Sequence, residues 1–272
     1  MNVVVNLKGG LGNQMFQYSF ADYISKKTSR KIVIDLSYLN NKNFIPNFTY
    51  RDYDLDIFNI NVETVNYFNE PYELIQEDWN QIHSVQYDLI SKALNSTSEN
   101  IYLDGYFPSP KYFDNSIDCF NEFKYGIEDN SIELMNQIVN SNSVMINVRR
   151  TDFVNNEFHG TYGRDYILNV LSHLENKDDY KFFIFSDDIE WCNDNLSDLG
   201  TIVSHEHKGY KFSNYLQLMS LCKVFIIPNS TFAWWSAFLS KSKTKVYYPE
   251  KFINVPPYVF EHLHPNDWIK IK

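Results

Sequence analysis

Apolar residues recur along this chain in two alternating patterns. Short β-branched or aromatic runs at residues 3–7, 31–36, 101–103, 144–148, 181–185, 201–203, 224–227 and 245–248 read as strands, the last of them ending the strand series. Between them apolar positions repeat at helical spacing. Met15, Phe16, Phe20, Tyr23 and Ile24 mark a helix over 14–27 with Asn13 as its N-cap, and positions 132, 134, 135, 138 and 139 mark another. Residues 164–174, 189–196 and 214–222, and a segment through Ala233, Trp234, Trp235, Ala237 and Phe238, read the same way, with the two tryptophans on the core side. Residues 60–95 read as mixed helical material.

Repeated strand–helix alternation in the second half is the pattern of a parallel, doubly wound sheet, and the first half looks like a smaller, less regular version. The expected architecture is α/β, two Rossmann-like domains facing across a cleft. The boundary is expected in the polar, acidic stretch 114–130, giving domains 1–128 and 129–272, with the C-terminal tail able to pack back on the first.

Several strand ends carry polar motifs. The densest is VMINVRRTD, residues 144–152, where a buried strand runs into Arg149, Arg150, Thr151 and Asp152. Ligands of open α/β sheets sit at the carboxyl ends of strands, and guanidinium grips phosphate bidentately, so this end is a candidate diphosphate site. A solvated edge with Asp152 pairing to an arginine is the structural alternative. The strand at 181–185 ends in Ser186, Asp187 and Asp188, whose carboxylates suit ribose hydroxyls, a base edge or helix capping. The strand at 224–227 ends in Pro228, Asn229, Ser230 and Thr231, suited to phosphate oxygens at a helix start or to capping alone. The opening KGGLGN turn places Gly10, Gly12, Asn13 and Gln14 before a helix, without the third glycine of a dinucleotide fingerprint or the GK[ST] of a Walker loop.

Charge sharpens this picture. With 24 Lys+Arg against 34 Asp+Glu the chain carries a net charge of -10, so no general nucleic-acid surface is expected and an anionic substrate needs a local basic pocket. Three cysteines without CxxC spacing argue for a reducing compartment and against a disulfide framework or zinc site. No signal peptide or membrane-length apolar run is read, so a cytoplasmic protein is expected. Asp54-Leu55-Asp56 looks like a metal-binding DxD but follows no apolar strand, and His205 and His207 read as solvated, so no metal site is expected.

Taken with GGLGNQMFQYSFA at the start, VRRTDF, HG at 159–160, FIFSDDIEWC, NSTFAWWSAFL and the closing HPNDWIKI, the chain resembles the bacterial α-1,2-fucosyltransferases of glycosyltransferase family 11 over nearly its full length. It departs from that pattern at Asn147, where the family usually has His, at Thr151, where it has Gly, and in CKVFIIP before the NST motif. The resemblance implies a GT-B-like fold. It also implies inverting transfer from GDP-β-L-fucose to the 2-hydroxyl of a terminal galactoside, with no cofactor or metal required. The donor is expected on the C-terminal half, at Arg149, Arg150, His159, Asp187, Asp188, Asn229, Ser230, Thr231 and Phe232, with Gly10, Gly12, Asn13 and Gln14 reaching it from the other side. Arg149 is the expected stabiliser of leaving-group charge. Glu157 is the expected base, with Asp152 and His159 as competitors. The implied acceptor is a galactose-terminated glycan or lipid-linked oligosaccharide of a lipopolysaccharide or other surface polysaccharide, with peripheral association at the inner face of the membrane. Two other readings stand beside this one: a transferase of the same fold with another nucleotide sugar, and a non-catalytic carbohydrate-binding protein that uses the aromatics.

Overall fold

The valine run after Met1 forms β1 (Asn2–Asn6), with Val3, Val4 and Val5 fully buried. An unbroken apolar run of this kind is what a strand covered on both faces requires. The computed structural model describes residues 1–43, 49–113, 118–256 and 260–272, which form two compact units, Met1–Glu122 with Phe260–Pro265, and Phe123–Val259 with Asn266–Lys272.

The first unit is a five-stranded parallel sheet of β1, β2 (Lys31–Asp35), β3 (Glu63–Val65), β4 (Glu73–Gln76) and β5 (Asn100–Asp104), in the order β3-β2-β1-β5-β4. Strands β3 and β4 fall where mixed helical material was expected. Each is only three or four residues long and mostly exposed, so neither carries an apolar run. The helices are α1 (Leu11–Thr28), α2 (Ser37–Asn40) and α3 (Tyr87–Asn95). Helix α1 starts three residues earlier than its apolar spacing suggests. Its N-cap is Gly10, and Asn13, expected as the cap, lies inside the first turn. Gly9 precedes it at φ +71, and a Cβ there would stand 2.5 Å from Asn13 Nδ2, so the turn requires glycine.

Residues 14–22 of α1 are all buried, which places Gln14 and Gln17 in the core. Each is satisfied by backbone. The Gln14 amide donates to the carbonyls of Gly9 (2.9 Å) and Asp52 (2.7 Å) and accepts from the N–H of Asp54 (2.9 Å). Gln17 clamps Lys8 at both its N–H and its carbonyl. Asp54 caps a single 3-10 turn, Leu55–Ile57, that contains Asp56.

The segment Phe260–Pro265 completes this unit. Ser109 Oγ donates to the His262 carbonyl at 2.6 Å, and His262 Nδ1 donates to the His83 carbonyl at 3.0 Å. Burial pulls His262 down to about 4 and His264 to about 3. Both side chains are therefore neutral when folded, whereas an unfolded histidine takes up a proton below its ordinary value of about 6.5. Stability from this segment is fully present above that value and falls as the pH drops toward 4. A shift of this size is worth ~3 kcal/mol for His262. Urea unfolding between pH 7 and 4.5 should show that loss, and His262→Gln should flatten the pH dependence.

The second unit is a six-stranded parallel sheet of β6 (Ser143–Val148), β7 (Lys181–Ser186), β8 (Thr201–Ile202), β9 (Val224–Ile226), β10 (Lys245–Pro249) and β11 (Ile269–Ile271). The order is β11-β10-β9-β6-β7-β8. Strand β11 extends the series beyond residue 248: IKI is an edge strand with two exposed residues, so its alternation is weak in sequence. Around the sheet lie α4 (Ile132–Val139), α5 (Arg164–Ser172), α6 (Ile189–Leu196), α7 (Ser213–Ser220) and α8 (Thr231–Leu239). Val144, Ile146, Val148, Ile184 and Ile226 form one core with Ile167 and Val170 of α5 and Leu196 of α6. Trp234 and Trp235 are fully buried in α8. No helix among the described residues is long and apolar enough to cross a membrane.

Candidate active site

In the second sheet the chain runs outward from β6 through β7 to β8, then returns to β9 and continues through β10 to β11. The order therefore reverses between β6 and β9, and a crevice at such a switch point is where an open α/β sheet takes its ligand. The three adjacent strands β9, β6 and β7 deliver Asn229, Arg149 and Asp187 to one edge.

Arg149 follows β6 directly. Its guanidinium is ion-paired with Asp152 and, at 2.8 Å, with Asp187, and lies 5.2 Å from the Phe153 ring centroid. Arg150 donates its backbone N–H to Asp187 (2.9 Å) and its Nε–H to Asp188 (3.1 Å), and its guanidinium rests on the Trp191 ring at 4.2 Å. Thr151 Oγ also donates to Asp187. Asp188 caps α6 by accepting from the Trp191 N–H at 3.1 Å. Each arginine is thus held by carboxylate and by an aromatic ring, with its fork fixed before any ligand arrives.

The structure gives three predicted residues protein partners. Asp187 accepts from Arg149, Arg150 and Thr151, and Asp188 from Arg150 and the α6 backbone, so both hold the arginines in place. Asp152 is a partner of Arg149, which fits a positioning carboxylate better than a base. Trp191 and Phe153 were given no role by the sequence. Both lie within the quoted runs VRRTDF and FIFSDDIEWC, but the place of the rings against the guanidiniums is visible only in three dimensions.

The loop after β6 carries the other candidates. Glu157 is exposed and makes no ion pair with a described residue. The His159 ring lies face to face with Phe153, 4.0 Å apart and tilted by 2°. Burial and the neighbouring Arg149 charge lower its pKa below the usual 6.5, against the pull of Asp152, so the imidazole is neutral at pH 7. Its Nδ1 is buried with no hydrogen-bond partner among the described residues. Asn229, only 3% exposed, closes the loop by donating to the carbonyls of Gly160 and Phe252, both at 3.1 Å. The Asn229 Oδ1 is likewise buried, with no hydrogen-bond partner among the described residues.

Ser230 is the N-cap of α8, accepting from the Ala233 N–H, and Thr231 and Phe232 are half-buried in the first turn. The first turn of α8 contains no acidic residue of its own, which favours an anion at that helix start. Asn147, standing where the family pattern has His, donates to the Phe185 carbonyl at 3.1 Å and so braces β6 against β7. His205 and His207 are not solvated as expected: His205 Nε2 lies 3.0 Å from the Ser186 carbonyl oxygen and His207 Nδ1 2.9 Å from Ser131 Oγ. Gly10, Gly12, Asn13 and Gln14 belong to the first unit. Both amide hydrogens of Gln14 are spent on carbonyls, so it braces the glycine turn and has none left for a donor molecule. Among the described residues no group of three His, Cys, Asp or Glu is placed to hold a metal ion.

Two parallel α/β units, the second with paired arginines at its switch point, have the construction of a glycosyltransferase of the GT-B class. The chain matches the glycosyl transferase family 11 model over residues 1–272 and belongs to that family. Among its relatives is the Escherichia coli O-antigen biosynthesis glycosyltransferase WbnK, 26% identical, with 88% of this chain and 91% of the relative covered. An α-1,2-colitosyltransferase of Escherichia coli is 30% identical, with 87% of each chain covered. In fold the chain is similar to NodZ, an α-1,6-fucosyltransferase crystallised with GDP. The TM-score is 0.54 at 15% identity, over 90% of this chain and 93% of that one. Another crystal of NodZ gives Bradyrhizobium as its source.

Proposed function

We propose that this protein transfers L-fucose from GDP-β-L-fucose to the 2-hydroxyl of a terminal galactoside, with inversion and without a metal ion. The observation that carries the reading is the pair of arginines preorganised at the β6 end. Transfer of a sugar from a nucleoside diphosphate builds negative charge on the departing diphosphate. Arg149, fixed by Asp152 and Asp187, is aimed to take that charge, and Arg150 on Trp191 adds a second guanidinium. In a chain of net charge -10 these two guanidiniums, held in place by Asp152, Asp187 and Asp188, are the forked donors an anionic diphosphate would meet. The open N-terminus of α8 extends the same anion site.

In the proposed step the acceptor oxygen attacks the anomeric carbon as the bond from that carbon to the diphosphate breaks. The electron pair leaves with the diphosphate oxygen, and the acceptor proton passes to Glu157. His159, neutral and stacked on Phe153, shapes the loop between these groups. We place the reaction in the cytoplasm, with an O-antigen-type glycan as the acceptor class.

Asp187→Asn tests the arginine scaffold. It removes the charge facing Arg149 while keeping side-chain size. The expected result is a fall in turnover of ~10-fold or more, with a stability loss of about 1–3 kcal/mol from the weakened pairing. Steady-state rates and a thermal melt check it.

The test of the whole reading is GDP-fucose turnover with lactose, with and without EDTA, followed by linkage analysis. Metal-independent release of GDP with an α-1,2-linked product is expected. Competition by UDP equal to that by GDP would overturn the donor assignment. The 30% identical colitosyltransferase supports a second donor, GDP-colitose, whose sugar lacks the 3-hydroxyl of fucose. A higher kcat/KM for that donor would move the assignment to it.

A further inference from the structure

In the first sheet the adjacent strands β1, β5 and β4 run parallel, so their carboxyl ends lie on one edge. The residue two past β1 on this edge is Lys8, and the last residue of β5 is Asp104. They form an ion pair whose side chains are 19% and 20% exposed. Asp104 also accepts from Gln76 Nε2, at the end of the neighbouring β4, at 3.3 Å.

Beside this polar group stands an aromatic one. Trp79 is 55% exposed, yet its backbone is held firmly. The Gln86 side chain accepts from the N–H of Asp78 and donates to its carbonyl, both at 2.9 Å, and the Asp78 carboxylate accepts from the N–H of Asn80 at 2.9 Å. Tyr106 meets the Trp79 ring edge-on, with centroids 5.3 Å apart. The Tyr106 turn is fixed in its place by Glu77, which accepts from the N–H groups of Tyr106 (2.7 Å) and Phe107 (3.2 Å). Glu77 also donates its own N–H to the Asp104 carbonyl at 2.9 Å, which joins the Tyr106 turn to the end of β5.

An indole left in water on a braced turn, beside a half-sheltered carboxylate–ammonium pair, is built for a ligand with one apolar face and a polar rim. A pyranose is such a ligand: its C–H face stacks on an aromatic ring, and its vicinal hydroxyls both donate and accept. The galactose configuration fits best, because its axial 4-hydroxyl leaves the C–H groups at positions 3, 4 and 5 on one face. An anionic ligand fits poorly, because Asp104 stands beside Lys8.

We propose that Trp79, Tyr106, Lys8, Asp104 and Gln76 form a subsite for a galactose-configured pyranose. Its part in transfer rests on the function proposed above; its binding of the sugar does not. The test is the intrinsic fluorescence of the full chain titrated with methyl β-D-galactopyranoside in the absence of nucleotide. Of the five tryptophans, Trp234, Trp235 and Trp268 are buried and Trp191 is half-buried, so an environmental shift reports Trp79. A saturable blue shift is expected in the wild type, absent in Trp79→Phe and weakened about tenfold in affinity in Asp104→Asn. A wild type without a saturable shift, or a shift that survives Trp79→Phe, overturns the subsite. Affinity unchanged in Asp104→Asn overturns the part given to the ion pair.

Transfer kinetics separate the two proposals. Trp79→Ala should raise the acceptor KM by about tenfold. An equal loss of GDP-fucose affinity would report a general defect and count against the subsite. A galactoside shift in a protein that does not turn over GDP-fucose would uphold the subsite and overturn the donor.

Discussion

Arg149→Ala should lower kcat for GDP-fucose turnover by about 10²–10³, the range for removing one preorganised donor from developing transition-state charge. The size follows from how the residue is held. Its two carboxylate partners and the nearby Phe153 ring already restrict the guanidinium, so little ordering remains to be done during the reaction. The effect should fall on kcat more than on the donor KM, because the charge it meets grows as the sugar–oxygen bond breaks. Arg149→Lys should recover only part of the rate. An ammonium restores the charge but not the fork that faces two carboxylates and a phosphate together. Alanine also leaves Asp152 and Asp187 without their cation, so a thermal melt must accompany the kinetics. A folded Arg149→Ala variant with turnover within about twofold of wild type would remove this arginine from the mechanism.

Long, apolar elements were legible in the sequence, while of the short edge strands only β8, at Thr201–Ile202, was read. Helix α4 lies where its apolar spacing puts it, at Ile132–Val139, and β6 begins only one residue before its valine run. Strands β3, β4 and β11 escaped because an edge strand of three or four residues has one exposed face and no run to read. The motifs RRTD, SDD and PNST pointed to one sheet edge, and the sheet order puts their strands side by side. What the motifs could not divide was labour within the site. A carboxylate after a strand reads alike whether it awaits a ribose or holds an arginine, and only its partners decide: Asp187 and Asp188 are occupied by Arg149, Arg150, Thr151 and the α6 backbone. Gln14 shows the same limit. In the sequence it is a polar residue beside a glycine turn, while in the fold it is a fully buried brace between that turn and the residues at 52–54.

The base is where this division of labour matters most. Glu157→Gln should lower kcat/KM by about 10²-fold, the lower part of the range for general base catalysis. Three side chains were candidates, and their surroundings separate them. Asp152 is engaged by Arg149. His159 is held neutral by burial, but its ring is stacked flat on Phe153 and its Nδ1 is enclosed, which denies that nitrogen a path to an incoming hydroxyl. Glu157 is exposed on the same loop and makes no ion pair with a described residue, so it is the carboxylate able to meet an acceptor. The discriminating measurement is the pH profile. A base works only while deprotonated, so the wild-type rate should fall on the acid side as the base takes up its proton. Glutamine cannot titrate, so the residual activity of Glu157→Gln should lose that acid limb. If the limb persists in Glu157→Gln and disappears in His159→Asn, the proton goes to the imidazole instead. The stacked ring would then have to leave Phe153 during turnover, and Phe153→Leu, which removes the stacking partner, should shift the acid limb in a protein of that kind and leave it in place where Glu157 is the base.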